Sequence, residues 1–362
     1  MTSILSHINT EADYCLRYNI LPYWLRLRDL EHGGFYGQVR GDETIVPTAD
    51  RSAVLYARLL WTFSACAMKE PAQCVKDYIL QHFIDDVYGG TYWTVNYLGQ
   101  PVEQKKQCYA QAFMLYAFSE YARVMGDEEA LHIAQRFYRW IETYFKDDMG
   151  GYIEATDRQW QSIDDMRLSD KDENFCKSQN NHLHILEAYT NLYRVWQDNQ
   201  LKQSINQLIQ LFEQHIIQRS GHLGLFFDNN WTVSNKHFSY GHDVEASWLL
   251  DDAAQTIGIN IDKTILLLSQ SPFPEHNLTM DWWEPAEAVI AYLNRYNHLH
   301  DEQSLLNLQK AWTYIQNHLI DTQHGEWFWS AQQLATHDKA GAWKCPYHNT
   351  RMCLEIIKRN TI

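Results

Sequence analysis

The chain reads as long stretches of helical periodicity separated by short turn signals. Apolar residues recur every three or four positions over 53–67, 107–123, 181–196 and 284–296, which predicts helices there. Between such stretches a short glycine-plus-aromatic element returns: Gly33-Gly34-Phe35-Tyr36, Gly89-Gly90-Thr91-Tyr92-Trp93, Gly150-Gly151-Tyr152, Gly221-His222-Leu223-Gly224-Leu225-Phe226 and Gly325-Glu326-Trp327-Phe328-Trp329. Each follows one predicted helix and precedes another. Their spacing is roughly 55 to 75 residues, two helices and their connections per repeat, with one wider gap before the last that reads as a repeat whose motif is lost.

Six such units, twelve helices, predict an all-α fold: an (α/α)6 barrel, or toroid, with short β-hairpins at the loop ends. The same periodicity also fits an open helical solenoid. No Pro/Ser/Gly-rich linker divides the chain and its eight prolines are dispersed, so one domain over 1–362 is expected.

Charge narrows the class of partner. Lys and Arg number 30 against 45 Asp and Glu, and the net charge of -15 opposes binding to nucleic acid or an anionic membrane. No run of about 18 apolar residues predicts a membrane span, and residues 1–20 lack the pattern of a secretory signal. Seven scattered cysteines, never spaced as CxxC, read as reduced thiols of a cytoplasmic protein. No exposed apolar stripe is evident, so a monomer is expected. The 14 Trp and 22 Tyr supply many flat faces of the kind on which sugar rings stack.

Several segments carry candidate chemistry. Arg58 lies in the apolar helix Val54-Leu55-Tyr56-Ala57-Arg58-Leu59-Leu60-Trp61, where its guanidinium needs an oxygen-rich partner, either a core carboxylate or a ligand. In Tyr240-Gly241-His242-Asp243-Val244-Glu245-Ala246-Ser247-Trp248, His242 and Glu245 are three apart, so a helix starting near Gly241 puts both on one face, as a general base and its orienting carboxylate require. A histidine satisfied in the core is the alternative. In Asn180-Asn181-His182-Leu183-His184 the two histidines point to opposite sides of a helix and cannot chelate one metal. In Asp281-Trp282-Trp283-Glu284-Pro285-Ala286-Glu287, Trp283 and Glu287 share a face, either a sugar platform beside a carboxylate or an ordinary core contact. Trp343 and His348 stand in and after a loop before the final helix. No HExxH, P-loop, GxGxxG or GxSxG pattern occurs, so neither a metal nor an organic cofactor is expected.

Taken together, these segments resemble the N-acylglucosamine 2-epimerase superfamily, in its disaccharide-epimerising branch, the cellobiose 2-epimerases. The likeness runs almost end to end and includes Tyr109-Ala110-Gln111-Ala112-Phe113, Asp165-Met166-Arg167-Leu168-Ser169-Asp170-Lys171-Asp172 and His184-Ile185-Leu186-Glu187-Ala188-Tyr189. The resemblance implies a barrel whose central cup is lined by Arg58, Tyr109, Asn180, His184, His242, Glu245, Trp248, Trp283, Glu287, Trp343 and His348. It implies reversible epimerisation at C2 of the reducing-end glucose of cellobiose or a related β-1,4-disaccharide, with His242 and His348 as the acid/base pair. By the same carry-over His184 assists ring opening or holds O1, Arg58 steadies the developing oxyanion, and Trp283 and Trp343 are sugar platforms. The chain departs from the family pattern twice: the stretch 265–281 is shorter, and Glu284-Pro285 replaces the usual residues after the double tryptophan. Both put the preferred sugar in question more than the reaction.

The chemistry suits these residues. Ring opening exposes an aldehyde that acidifies the C2 hydrogen, and imidazoles exchange protons near neutrality without a cofactor. A mannose isomerase or monosaccharide 2-epimerase of the same superfamily would use much the same residues. An (α/α)6 glycoside hydrolase would need two opposed carboxylates, for which Glu245 and Glu287 are the candidates, and would leave the three histidines without a task. A sugar-binding protein without catalysis would not need His348.

Overall fold

The computed structural model of the chain describes residues 2–234, 237–334 and 336–359. In chain order it forms α1 (Thr2–Cys15), α2 (Leu21–Leu25), β1 (Arg51–Ser52), α3 (Ala53–Ala65), α4 (Lys69–Tyr78), β2 (Thr94–Val95), β3 (Lys106–Gln107), α5 (Cys108–Met125), α6 (Glu128–Tyr144), β4 (Ala155–Thr156), β5 (Lys177–Ser178), α7 (Gln179–Val195), α8 (Asn199–Leu211), β6 (Phe226–Phe227), α9 (Tyr240–Ile257), α10 (Asp262–Leu268), α11 (Trp283–Leu299), α12 (Glu302–Tyr314) and α13 (Tyr347–Arg359). The four stretches of helical periodicity in the sequence correspond to α3, α5, α7 and α11. Among the described residues no helix is long and apolar enough to cross a membrane.

The chain divides into two compact units, one of Met1–Ala49, Tyr240–Trp248 and Ile265–Ile362, the other of Asp50–Ser239 and Leu249–Thr264. In the second unit α3, α5 and α7 pack side by side, with α4, α6 and α8 each laid against one of them. The composition of the helices explains the two layers. In α5 every residue from Cys108 to Ala122 is buried, so it forms an inner layer. In α6 the buried residues are Ala130, Ile133, Ala134, Phe137, Tyr138 and Ile141, a single stripe at three- and four-residue spacing on an otherwise polar helix. At about 25 cal/mol per Å2 of apolar surface, each large side chain in that stripe contributes about 2 kcal/mol.

The inner helices begin at matching places. Each is preceded by a two-residue strand in an antiparallel pair: β1 with β2 (Arg51 opposite Val95), β3 with β4 (Lys106 opposite Thr156) and β5 with β6 (Lys177 opposite Phe227). Ser52 and Ser178 then cap α3 and α7, each Oγ accepting the backbone N–H three residues on at 3.1 Å. These are short antiparallel pairs rather than the hairpins that the sequence predicts, since two helices lie between the partners of each pair.

Each glycine-aromatic element also closes an antiparallel bridge: Arg28 with Phe35, Ile84 with Thr91, Lys146 with Tyr152, Ile217 with Leu223 and Ile320 with Trp327. Gly90 shows why glycine is needed. Its φ is +72°, and a Cβ there would stand 2.6 Å from the Trp160 ring and 2.8 Å from the Gln111 amide oxygen. In the wider gap of the sequence, residues 258–282 hold only the seven-residue α10 and turns, with no such bridge.

Periodicity gave no hint of the buried cations that pin these turns. Lys106 and Asp85 form an ion pair at 2.9 Å with both side chains fully buried, and Lys177 reaches Asp147 at 2.8 Å. Burial alone would raise the Asp85 carboxyl, but hydrogen bonds from Arg158 and Lys106 outweigh it and hold it well below the usual carboxylate range. In the first unit Lys339 meets Asp321 in the same way.

In the first unit α11 packs between α12 and α13, and α1 lies on α13. Residues 285–294 of α11 are all buried.

Candidate active site

In the first unit the starts of α9, α11 and α13 bring six of the sequence-predicted residues together. His348, on the first turn of α13, has its Nδ1 2.7 Å from Oε1 of Glu287 and 3.9 Å from Oε1 of Glu245. Arg351, one turn further along α13, donates to both carboxylates at 2.7 Å. The second oxygen of Glu287 accepts the indole N–H of Trp248 at 2.9 Å. The Arg351 guanidinium lies 4.7 Å above the Trp248 ring and 4.4 Å above Tyr347, whose hydroxyl it also meets. All four charged or titratable groups are 5% exposed or less.

In this buried group two carboxylates face one guanidinium and one imidazole. Glu245, Glu287 and His348 are spaced closely enough to bind a metal ion. Arg351 already supplies the positive charge between the two carboxylates, so the donor set does not fit one.

The Trp283 ring lies close to two histidines of the unit, 4.9 Å from His242 and 5.7 Å from His348 between ring centroids. Gly241 makes this possible, since a Cβ there would stand 2.6 Å from the Trp283 ring. Trp343 is half-buried in the turn at 341–344, where Gly341 N–H bonds to the Lys344 carbonyl. That turn is tied down from inside: Lys344 is fully buried and donates to Glu326 at 2.7 Å, an oxygen that Asn349 also meets at 2.6 Å.

In the second unit a smaller cluster forms on α3, α5 and α7. The Arg58 guanidinium donates to the Tyr109 hydroxyl at 2.9 Å and lies 4.3 Å above the Phe113 ring. His184 stands edge-on to Tyr109 at 5.1 Å and against Phe113 at 4.8 Å, and its Nδ1 is 2.9 Å from Glu187. Asn180, half-buried, precedes His184 by one turn of α7.

The two histidines on α7 have separate fates, as their opposite directions predict. His182 is fully buried, its Nε2 accepts the Tyr152 N–H at 2.9 Å, and Nδ1 therefore donates to the Ser178 carbonyl at 2.7 Å. Burial pushes it down to about 4, so it is a neutral structural group.

Sequence reasoning missed Glu187, Arg351, Tyr347 and Phe113. Glu187 was legible, because His184-Ile185-Leu186-Glu187 repeats the three-residue spacing read for His242 and Glu245. Arg351 carried no local signal, since both of its carboxylate partners come from other helices. Spacing puts Glu245 on one face with His242; Glu245 also accepts from Arg351, and Glu287 meets His348.

Comparison with known proteins gives the same class. The chain is 36% identical to a cellobiose 2-epimerase of Bacillus thermoamylovorans of known structure and superposes on it with a TM-score of 0.92 over 99% of this chain and all of that one. A solved D-mannose isomerase, 19% identical, shares the fold with a TM-score of 0.82. The fold is thus the (α/α)6 barrel, and the protein is a carbohydrate epimerase, an isomerase. The family model for N-acylglucosamine 2-epimerase (GlcNAc 2-epimerase) matches residues 34–265. A cellobiose 2-epimerase of Bacteroides fragilis is 44% identical, covering 93% of this chain and 95% of its own length, and one of Ruminococcus albus is 35% identical over 94% and 96%. The chain belongs to the N-acylglucosamine 2-epimerase family.

Proposed function

We propose that this protein reversibly epimerises C2 of the reducing-end glucose of cellobiose or a related β-1,4-disaccharide, through ring opening and a cis-enediolate. The observation that carries the reading is the placing of two imidazoles, His242 and His348, against one aromatic ring, Trp283. Two imidazoles beside one sugar platform suit a reaction in which one base removes a proton and another acid returns it to the opposite face. The relatives named as cellobiose 2-epimerases supply the sugar.

In this reading the open-chain aldehyde acidifies the C2 hydrogen, and one of the two imidazoles takes it. Negative charge then gathers on the enediolate oxygens, and to Arg58, held by Tyr109, we assign their stabilisation. The imidazole of the other histidine delivers a proton to the opposite face of C2. Glu287 and Arg351 orient His348 rather than touch the sugar, since Glu287 is fully buried and already bonded to Trp248, His348 and Arg351. Glu245 shares Arg351 with it. His184, braced by Glu187, serves ring opening or O1. The family resemblance assigns Asn180 and Trp248 to sugar binding and Trp343 to a second platform. A cytoplasmic, monomeric enzyme is part of the same proposal; seven scattered cysteines, never spaced as CxxC, suit a reducing compartment.

The test is NMR of the protein in D2O with cellobiose, and separately with glucose and with mannose. Deuterium at C2 of a mannose-type epimer from cellobiose is the expected result. A ketose product moves the assignment to an isomerase. A monosaccharide that outpaces cellobiose moves the substrate, and no exchange with any of the three overturns the reading.

A further inference from the structure

Glu284 follows the Trp283 platform directly in the first turn of α11. Its Oε1 accepts the Asp281 N–H at 3.2 Å while its own N–H donates to the Asp281 carbonyl at 3.0 Å, a reciprocal clamp that starts the helix. On its other side it touches α9. A Cβ built on Gly241 would stand 2.6 Å from Glu284 Cγ and 2.6 Å from the Trp283 ring, so the backbone just before His242 rests on both side chains.

We propose that Glu284 is a positioning residue of the epimerase site, its side chain clamping the start of α11 against Gly241 so that the Trp283 ring keeps its place beside His242 and His348. The assignment rests on the C2-epimerisation reading. A helix start fixed only by its own cap would be free to shift along α9; the wedge against Gly241 removes that freedom. Displacements of this kind are costly, since about 1 Å at a reacting centre lowers turnover by up to about 10²-fold.

The carboxyl also brings a pH dependence. The groups that face it are Asp281 ahead of α11, Tyr240 on α9 and Tyr314 on α12, with His242 beyond the Trp283 ring. None of the first three is a cation. Burial, with a smaller push from the Asp281 charge, raises the Glu284 carboxyl to about 7 in spite of the Asp281 N–H. Below neutrality the wedge is uncharged. Above it the wedge carries a buried negative charge beside Asp281, and the clamp loosens.

The experiment compares wild type, E284Q and E284A by C2 deuterium exchange on cellobiose across the pH range, with kcat and KM taken separately. An amide fills the same space and accepts the same N–H without titrating. E284Q is therefore expected to keep wild-type kcat on the acid side and to lack the alkaline fall in kcat centred near the Glu284 value of about 7. E284A is expected to lose about tenfold in kcat at every pH, with KM moved less. Wild-type kcat in E284A, or an unchanged alkaline fall in E284Q, overturns the assignment. Should E284A fail to fold, the E284Q profile decides by itself. A wild-type protein that exchanges none of cellobiose, glucose or mannose overturns the epimerase reading, a result distinct from one in which wild type turns over and E284A matches it.

Discussion

His348 and Glu287 meet at 2.7 Å although 61 residues of chain separate them, and the oxygen they share also takes a hydrogen bond from Arg351. That oxygen fixes the plane of the imidazole, because a ring with one nitrogen held by a carboxylate can turn only at the expense of a charge-assisted hydrogen bond.

Glu287→Gln keeps the shape and removes the charge. Without the carboxylate the imidazole loses both its orientation and the support of its protonated form, so kcat is expected to fall about 10²-fold with KM changed far less. Steady-state kinetics on cellobiose measures the split; a KM effect alone would make Glu287 a substrate-binding group.

Removing Arg351 takes away the guanidinium that two buried carboxylates, Glu245 and Glu287, share. Arg351→Met is expected to destabilise the protein by about 3 to 5 kcal/mol in urea unfolding. Adding Glu245→Gln should restore part of that loss, and strict additivity of the two changes would show that the groups act independently.

Two glycines separate stability from catalysis. Gly90→Ala meets the Trp160 ring at a positive φ, outside α9, α11 and α13, and is expected to cost about 1 to 3 kcal/mol with a smaller loss of kcat than Gly241→Ala. Gly241→Ala pushes the Trp283 ring instead, and is expected to lower kcat by about 10²-fold with a smaller change in unfolding midpoint. Thermal melts beside kinetics on both variants check the contrast.

His182 sets an acid limit on stability. Its folded value of about 4 lies below the ordinary 6.5, so between these the unfolded chain binds the extra proton and stability falls as pH falls. At full extent the loss is about 3 kcal/mol. His182→Gln, whose amide oxygen can accept the Tyr152 N–H, should lose less between pH 7 and 4.5 in urea unfolding; equal losses would place the acid sensitivity elsewhere.

Much of this was legible in the chain. The glycine-aromatic elements mark real turns because a paired strand, a tight reversal and a following inner helix need glycine at fixed offsets, and those offsets survive in sequence. The i, i+3 spacing of His184 and Glu187 is readable for the same reason: both residues sit on one helix, whose geometry is known in advance. Lys106, Lys177 and Lys344 were not legible, since a lysine in a polar loop looks solvated until the fold closes over it.

By itself the sequence determined the helical repeat, the places where helices begin, and the kinds of side chain on each inner face. Only the tertiary structure decided which groups from other helices join them. Glu287 on α11 reaches His348 on α13, and Arg351 on α13 bonds to both Glu245 and Glu287. The reason is physical: spacing along one helix fixes only which residues share a face, whereas the partner of a buried charge is set by which helix lies opposite, and that is settled by packing the entire apolar surface of the chain.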